Sequence, residues 1–148
     1  MHIVRDLLQT KDSGVWTIGP QASVYSALEL MATKNIGALV VTNNDQVVGI
    51  FSERDYARKV ILLGRASKTT LVSELMTRDV LYISPDDTIA NCMALMTTKR
   101  LRHLPVLENG KLVGIVSIGD VVKAIISGQE ITIRELERYI TGGHTTQG

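Results

Sequence analysis

Gly49-Ile50-Phe51-Ser52-Glu53-Arg54-Asp55 reads as an apolar strand running into the first turn of a helix. It returns 65 positions later as Gly114-Ile115-Val116-Ser117-Ile118-Gly119-Asp120. Each copy carries a hydroxyl and a carboxylate three residues apart. Working outward, the repeat holds without a gap from residues 15–60 against 80–125. Identical pairs include Val15/Val80, Ile18/Ile83, Pro20/Pro85, Met31/Met96, Lys34/Lys99, Val41/Val106, Gly49/Gly114, Ser52/Ser117 and Asp55/Asp120. An internal repeat of this kind decides the architecture before any single element does.

The elements of each copy follow from pattern. Residues 15–18 and 80–83 are short strands, each followed by a proline, Pro20 or Pro85. Ser23 and Thr88 are N-caps. The stripes Val24, Ala27, Leu28, Met31 and Ile89, Cys92, Met93, Met96 recur at helical spacing. Residues 37–42 and 103–107 are continuous apolar strands. Asn43-Asn44-Asp45 and Glu108-Asn109-Gly110 are hairpin signals, with return strands at 47–52 and 112–117. Helices are expected at 53–63, closed by Gly64, and at 118–126, with Gly128 after it. Outside the copies, Val4–Thr10 reads as a helix, 11–14 as a turn, 65–70 as a polar linker and 72–76 as a helical turn. Residues 129–140 read as helical, with Ile133, Leu136 and Ile140 on one side and a Glu130–Arg134 pair. A disordered end is expected from 141.

Each copy is therefore strand, helix, hairpin, helix. The fold class is α/β (α+β): two pseudo-symmetric β-α-β-β-α repeats, with small sheets covered by helices. A repeat of about 60 residues buries too little surface alone, so the two are expected to pack as one domain. The segments are 1–14, 15–64, 65–79, 80–127 and 128–148.

Bulk properties narrow the function. Among 148 residues the net charge is +1 with charges scattered, so no basic face for nucleic acid stands out. A single cysteine, Cys92, excludes an internal disulfide and suits a reducing compartment. No apolar run approaches the ~18–20 residues needed to cross a bilayer, and the first residues lack the apolar core of a signal peptide. A cytoplasmic protein is expected. No phosphate-gripping glycine loop is present, and His2, His103 and His144 are far apart, which disfavours a zinc site. No serine or cysteine sits in a nucleophile turn. Nothing points to an enzyme.

The repeated Ser-x-x-Asp has two readings. It is a capping box, in which Ser52 or Ser117 caps a helix and Asp55 or Asp120 reaches back. That device alone explains the residue types and spacing; the second reading is a nucleoside clamp, in which the carboxylate accepts two ribose hydroxyls beside a helix N-terminus that offers amides to phosphate. Arg54, Arg58, Arg102, His103 and Lys123 are the basic groups near it. Pro105 forces Leu104 into extended geometry.

Ile36-Gly37-Ala38-Leu39-Val40-Val41, the two quoted stretches and Arg102-His103-Leu104-Pro105-Val106 together resemble a tandem pair of CBS domains, a Bateman module, over residues 4–127. The chain is similar to stand-alone members of that family. The resemblance implies a sensor of adenosine-containing ligands (AMP, ADP, ATP, NAD or S-adenosylmethionine). It implies two clefts built crosswise. One combines Thr17, Ile18, Ile36, Gly37 and Ala38 with Ser117 and Asp120. The other combines Tyr82, Ile83, Arg102, His103 and Pro105 with Ser52, Arg54 and Asp55, and Arg58 and Lys123 lie near phosphates. Gly119 stands where the first copy has Arg54, so the site using Arg54 is expected to favour phosphate. The resemblance also implies a homodimer and an effector partner. The alternative is a ligand-free dimeric scaffold whose Ser-x-x-Asp pairs only cap helices.

Overall fold

The computed structural model describes residues 2–11 and 15–143, with side chains placed for 2–11, 15–128, 137 and 138. The elements run α1 (Val4–Thr10), β1 (Thr17–Ile18), α2 (Val24–Lys34), β2 (Ala38–Asn43), β3 (Gln46–Ser52) and α3 (Glu53–Asp55). A π-helical continuation, Tyr56–Ile61, follows α3. Then come α4 (Val72–Leu75), α5 (Ile89–Lys99), β4 (His103–Glu108), β5 (Lys111–Ser117) and α6 (Ile118–Gly143). The mixed α/β class and the two copies expected from the repeat are present.

Punctuation repeats with the sequence. Ser23 accepts from the Ser26 amide at 3.0 Å and Thr88 from the Asn91 amide at 3.0 Å, so α2 and α5 start where the hydroxyls direct. Both helices end on a left-handed residue, Asn35 and Arg100. There the following amide reaches back five residues, Ile36 to the Met31 carbonyl and Leu101 to that of Met96, in the Schellman manner. Both hairpins turn on two residues of positive φ, Asn44-Asp45 and Asn109-Gly110. That is the type I′ geometry matching strand twist.

β1 pairs parallel with β2, and β2 antiparallel with β3, giving the order β1-β2-β3; β4 and β5 form a second sheet. The strand expected at 80–83 is reduced to one parallel bridge, Ile83 with Val106. Ile83 donates to the Pro105 carbonyl and accepts from the Leu107 amide. One step further the ladder would need an amide from Pro105, which has none. In the first copy Val40 holds that position and the strand extends to Thr17.

Two further expectations are corrected. Residues 53–63 are not one α-helix: after one turn the chain widens into the π-form, before Gly64 at φ +69° ends it. Gly128 does not end the last helix, which runs unbroken to Gly143. A glycine inside a helix costs about 1 kcal/mol but keeps its hydrogen bonds. The expected disorder from 141 is thereby corrected for 141–143. The turn at 12–14, residues 144–148, and the side chains of Glu130, Ile133, Arg134, Leu136 and Ile140 lie outside the described residues.

The chain divides into two compact units: one takes in the first copy with part of the second, the other the leading segment α1 with the rest of the second copy. One contains β1 through Ser84 together with His103–Ile115. Its core is Val24, Ala27 and Met31 of α2, Leu39 and Val41 of β2, Phe51 of β3, Val60, and Val72, Leu75 and Met76 around α4. Ala38 and Val40, on the other face of β2, are also buried, which accounts for its unbroken apolar run. The other unit contains α1, Pro85–Arg102 and α6, with Val4, Leu7, Ile89, Cys92, Met96, Val121 and Ala124 buried. Burial pushes the Cys92 thiol up to about 11.

The division has a local cause. The helical turn leading into each copy is stitched to the opposite copy. Ahead of the first copy, the Val4 and Arg5 amides donate to the Asp87 and Pro85 carbonyls, and Ile3 bridges Thr88. Ahead of the second, the Val72 and Ser73 amides donate to the Ala22 and Pro20 carbonyls, and Leu71 bridges Ser23. Asp6 and Glu74 accept the amides of Ile3 and Leu71, at 3.2 and 2.8 Å. The polar stretch at 65–70 takes part as well, since Thr70 is buried and its carbonyl accepts the Val24 amide at 2.8 Å.

Candidate functional site

Both Ser-x-x-Asp motifs form complete boxes. The Ser52 amide donates to Asp55 Oδ2 at 3.0 Å, and the Asp55 amide donates to Ser52 Oγ at 3.1 Å. The Ser117 amide donates to Asp120 Oδ2 at 2.9 Å, and the Asp120 amide donates to Ser117 Oγ at 3.1 Å. The first helical amide is consumed in each copy too: Glu53 donates to the Gly37 carbonyl and Ile118 to that of Arg102. Of the first three helical amides, only those of Arg54 and Gly119 lack a partner among the described residues. The broad amide cradle expected for phosphate is therefore narrowed to one donor per copy.

The two carboxylates differ. Asp55 Oδ2 also accepts from Ser52 Oγ at 3.1 Å, while Oδ1 takes Lys59 Nζ at 3.2 Å and, more loosely, Thr77 Oγ1 at 3.4 Å. Both of its oxygens are engaged. Asp120 Oδ2 accepts from Lys11 Nζ at 2.8 Å, and its Oδ1 has no partner among the described residues. Burial on its own raises the Asp120 carboxyl; the Lys11 ammonium and the Ser117 amide outweigh it, so the group sits below its usual 3.8.

Asp120 opens onto a pocket of about 370 Å³ lined by Leu7, Thr10, Lys11, Lys123, Ala124 and Ser127. Asp120, Lys123 and Ser127 fall at i, i+3 and i+7 of α6, one helical face. Lys123 makes no hydrogen bond or ion pair among the described residues. Such a wall offers an open carboxylate oxygen, two ammonium groups and hydroxyls around an apolar floor. These are groups that suit a sugar bearing an anion.

The remaining expected residues fall as follows. Thr17 and Ile18 pair with Val40 and Val41, and Ala38 lies opposite Ser52 in the β2–β3 ladder. Gly37 faces His103 and Glu53: a methyl on it would make ordinary contact, 3.6 Å from His103 Nε2 and 3.7 Å from Glu53 Oε1. Ile36 packs against the core of its unit. Ile83 meets Pro105 through the bridge described above, Tyr82 is 60% exposed, and Arg54 and Arg58 are exposed. Lys11, Lys59 and Thr77 are the contributors that sequence reasoning missed. Lys59 was legible as an Asp-to-Lys pair at i, i+4. Lys11, 109 positions from Asp120, carries no local signal.

With this geometry in place, comparison with known proteins gives the class. The CBS-domain family model matches residues 4–61 and 72–127. The chain therefore belongs to the CBS-domain family, as a tandem pair, and such pairs are typically regulatory, non-catalytic modules. A candidate signal-transduction protein with CBS domains from Burkholderia ambifaria is 49% identical. Its structure superposes with a TM-score of 0.82 over 86% of this chain and 96% of that one. The mitochondrial CBS domain-containing protein CBSX3 of Arabidopsis thaliana is 40% identical over 127 residues, 82% of this chain and 62% of that protein. The CBS domain-containing protein YhcV of Bacillus subtilis is 32% identical over 120 residues, 81% of this chain and 83% of that protein. The chain thus spans less than two thirds of the Arabidopsis relative. Among the described residues, no helix is long and apolar enough to cross a membrane.

Proposed function

We propose that the chain is a sensor that binds an adenosine-containing ligand (AMP, ADP, ATP or NAD) and passes the change to a partner protein. The observation that carries this is Asp120: a carboxylate fixed by Ser117 and Lys11, with one oxygen open, on the wall of a pocket. The ribose hydroxyl goes to Oδ1. The Asp55 motif, whose oxygens are all engaged, is accounted for as a helix cap, and a ligand there would have to displace Lys59 or Thr77. Asp120, rather than the motif with Arg54, is the stronger candidate. Ile118, Val122 and Ile126 recur at i, i+4 and i+8 of α6 and are 37%, 39% and 47% exposed. That stripe suits a homodimer contact. A cytoplasmic setting fits the buried, unpaired Cys92.

The test is a thermal melt with AMP, ADP, ATP, NAD and S-adenosylmethionine in turn. A ligand at ~100 times its Kd adds about 2.7 kcal/mol to the folded state. For a chain of this length that is a rise of roughly 5–10 °C, and Asp120→Asn should remove it. Indifference to all five, with no nucleotide found by mass spectrometry in the purified protein, leaves the capping role alone.

A further inference from the structure

We infer that Lys11 sets the ligand class of the Asp120 pocket, selecting a phosphorylated ribonucleoside over the neutral nucleoside. This rests on the reading of that pocket given above. Lys11 belongs to the segment that leads into the first copy, outside both Ser-x-x-Asp motifs, yet its Nζ lies 2.8 Å from Asp120 Oδ2. The charged groups lining the pocket are Lys11, Lys123 and Asp120, two positive and one negative. A neutral ribose approaching Asp120 finds Oδ2 already taken by an ammonium and gains only the Oδ1 contact. A ligand carrying phosphate changes the balance. An ammonium has three donors, so Lys11 can keep Asp120 and take a phosphate oxygen, while Lys123 supplies a second charge. A ligand carrying a positive charge meets two like charges instead.

The Lys11–Asp120 pair is about one quarter exposed on each side, so its phosphate contact belongs at the lower end of charge-assisted hydrogen bonds, about tenfold in affinity. The experiment measures Kd for AMP and for adenosine by calorimetry on the whole chain, with ligand-free melts confirming each variant is folded. AMP is expected to bind the unaltered protein at least about tenfold more tightly than adenosine. Lys11→Met should bring the ratio of the two affinities to within about threefold, and Lys11→Arg should keep the preference. Should Lys11→Met not fold, Lys11→Gln makes the same comparison. An unchanged ratio in the neutral variant, or equal affinities in the unaltered protein, overturns the role of Lys11 while leaving the pocket standing. Failure of the unaltered protein to bind either ligand overturns the pocket and this role together.

Discussion

Replacing Gly49 by alanine tests why the motif begins with glycine. A methyl there would lie 2.6 Å from Met76 Sδ, 2.9 Å from Met76 Cγ and 3.0 Å from the Thr77 carbonyl oxygen. Methionine is pliable and can swing aside. The Thr77 carbonyl cannot, because it accepts from the Ile50 amide at 3.0 Å while Thr77 donates to the Ile50 carbonyl at 2.8 Å. Relieving the contact means stretching both bonds and disturbing Met76, a core residue. Overpacking costs about 1–3 kcal/mol, and the immovable carbonyl puts this site at about 2–3. At roughly 2–4 °C per kcal/mol, the midpoint should fall by about 4–12 °C. Gly19→Ala is the control: nothing lies within 4 Å of its added methyl, so it should stay within about 0.5 kcal/mol of the parent. Met76→Ala opens space at the same spot, so the double variant should lose less than the sum of the two single losses, by about 1 kcal/mol. Differential scanning fluorimetry on the parent and the four variants suffices. A Gly49→Ala protein that melts with the parent and with Gly19→Ala refutes the steric account.

Three other outcomes are expected. Asp120 has a lowered pKa, so its stabilising contribution is present above its usual 3.8 and disappears as pH falls through the folded value. Asp120→Asn should therefore melt lower at pH 7 by the worth of a partly buried ion pair, about 1–2 kcal/mol, with the gap closing in melts below pH 3.8. Cys92, with its thiol raised to about 11, should resist alkylation at pH 8 in the native protein and react promptly in denaturant; equal rates would contradict its burial. If the exposed stripe of α6 is the dimer contact proposed above, Val122→Glu, at a side chain 39% exposed, should give a smaller particle in light scattering than the parent while keeping a cooperative melt; equal particle sizes would count against that contact.

Much of the fold was legible because the chain states it twice. The caps at Ser23 and Thr88 and the hairpins around Asn44-Asp45 and Asn109-Gly110 read at the same spacing in both copies; the pairing of Ile18 with Val41 and of Ile83 with Val106, which the sequence pattern did not specify, recurs at that spacing as well. The trimmed second strand was not foreseen, since 80–83 reads as a strand by its repeat, although the missing amide of Pro105 was the signal that shortens it. Nor was the π-helix, because its residues carry an ordinary helical period. What tertiary context adds is Val60 seated in the core while its neighbour Lys59 reaches both Asp55 and the Leu75 carbonyl. At the site, the boxes followed from Ser-x-x-Asp, but the inequality of the carboxylates did not. It depends on Lys11 and Thr77, residues from the leading segments that only folding brings to them.

Those leading segments decide what a cut between the copies would leave. A fragment ending near residue 64 keeps β1 to β3 but loses α4, whose Val72 and Leu75 complete its core. A fragment starting there keeps α5 and α6 but loses α1, whose Val4 and Leu7 are buried and whose amides engage Pro85 and Asp87. Neither half is self-sufficient, yet each holds what the other lacks. Severed at this point and fused to the halves of a reporter, the chain is suited to work as a complementation pair that regains its fold only on reunion.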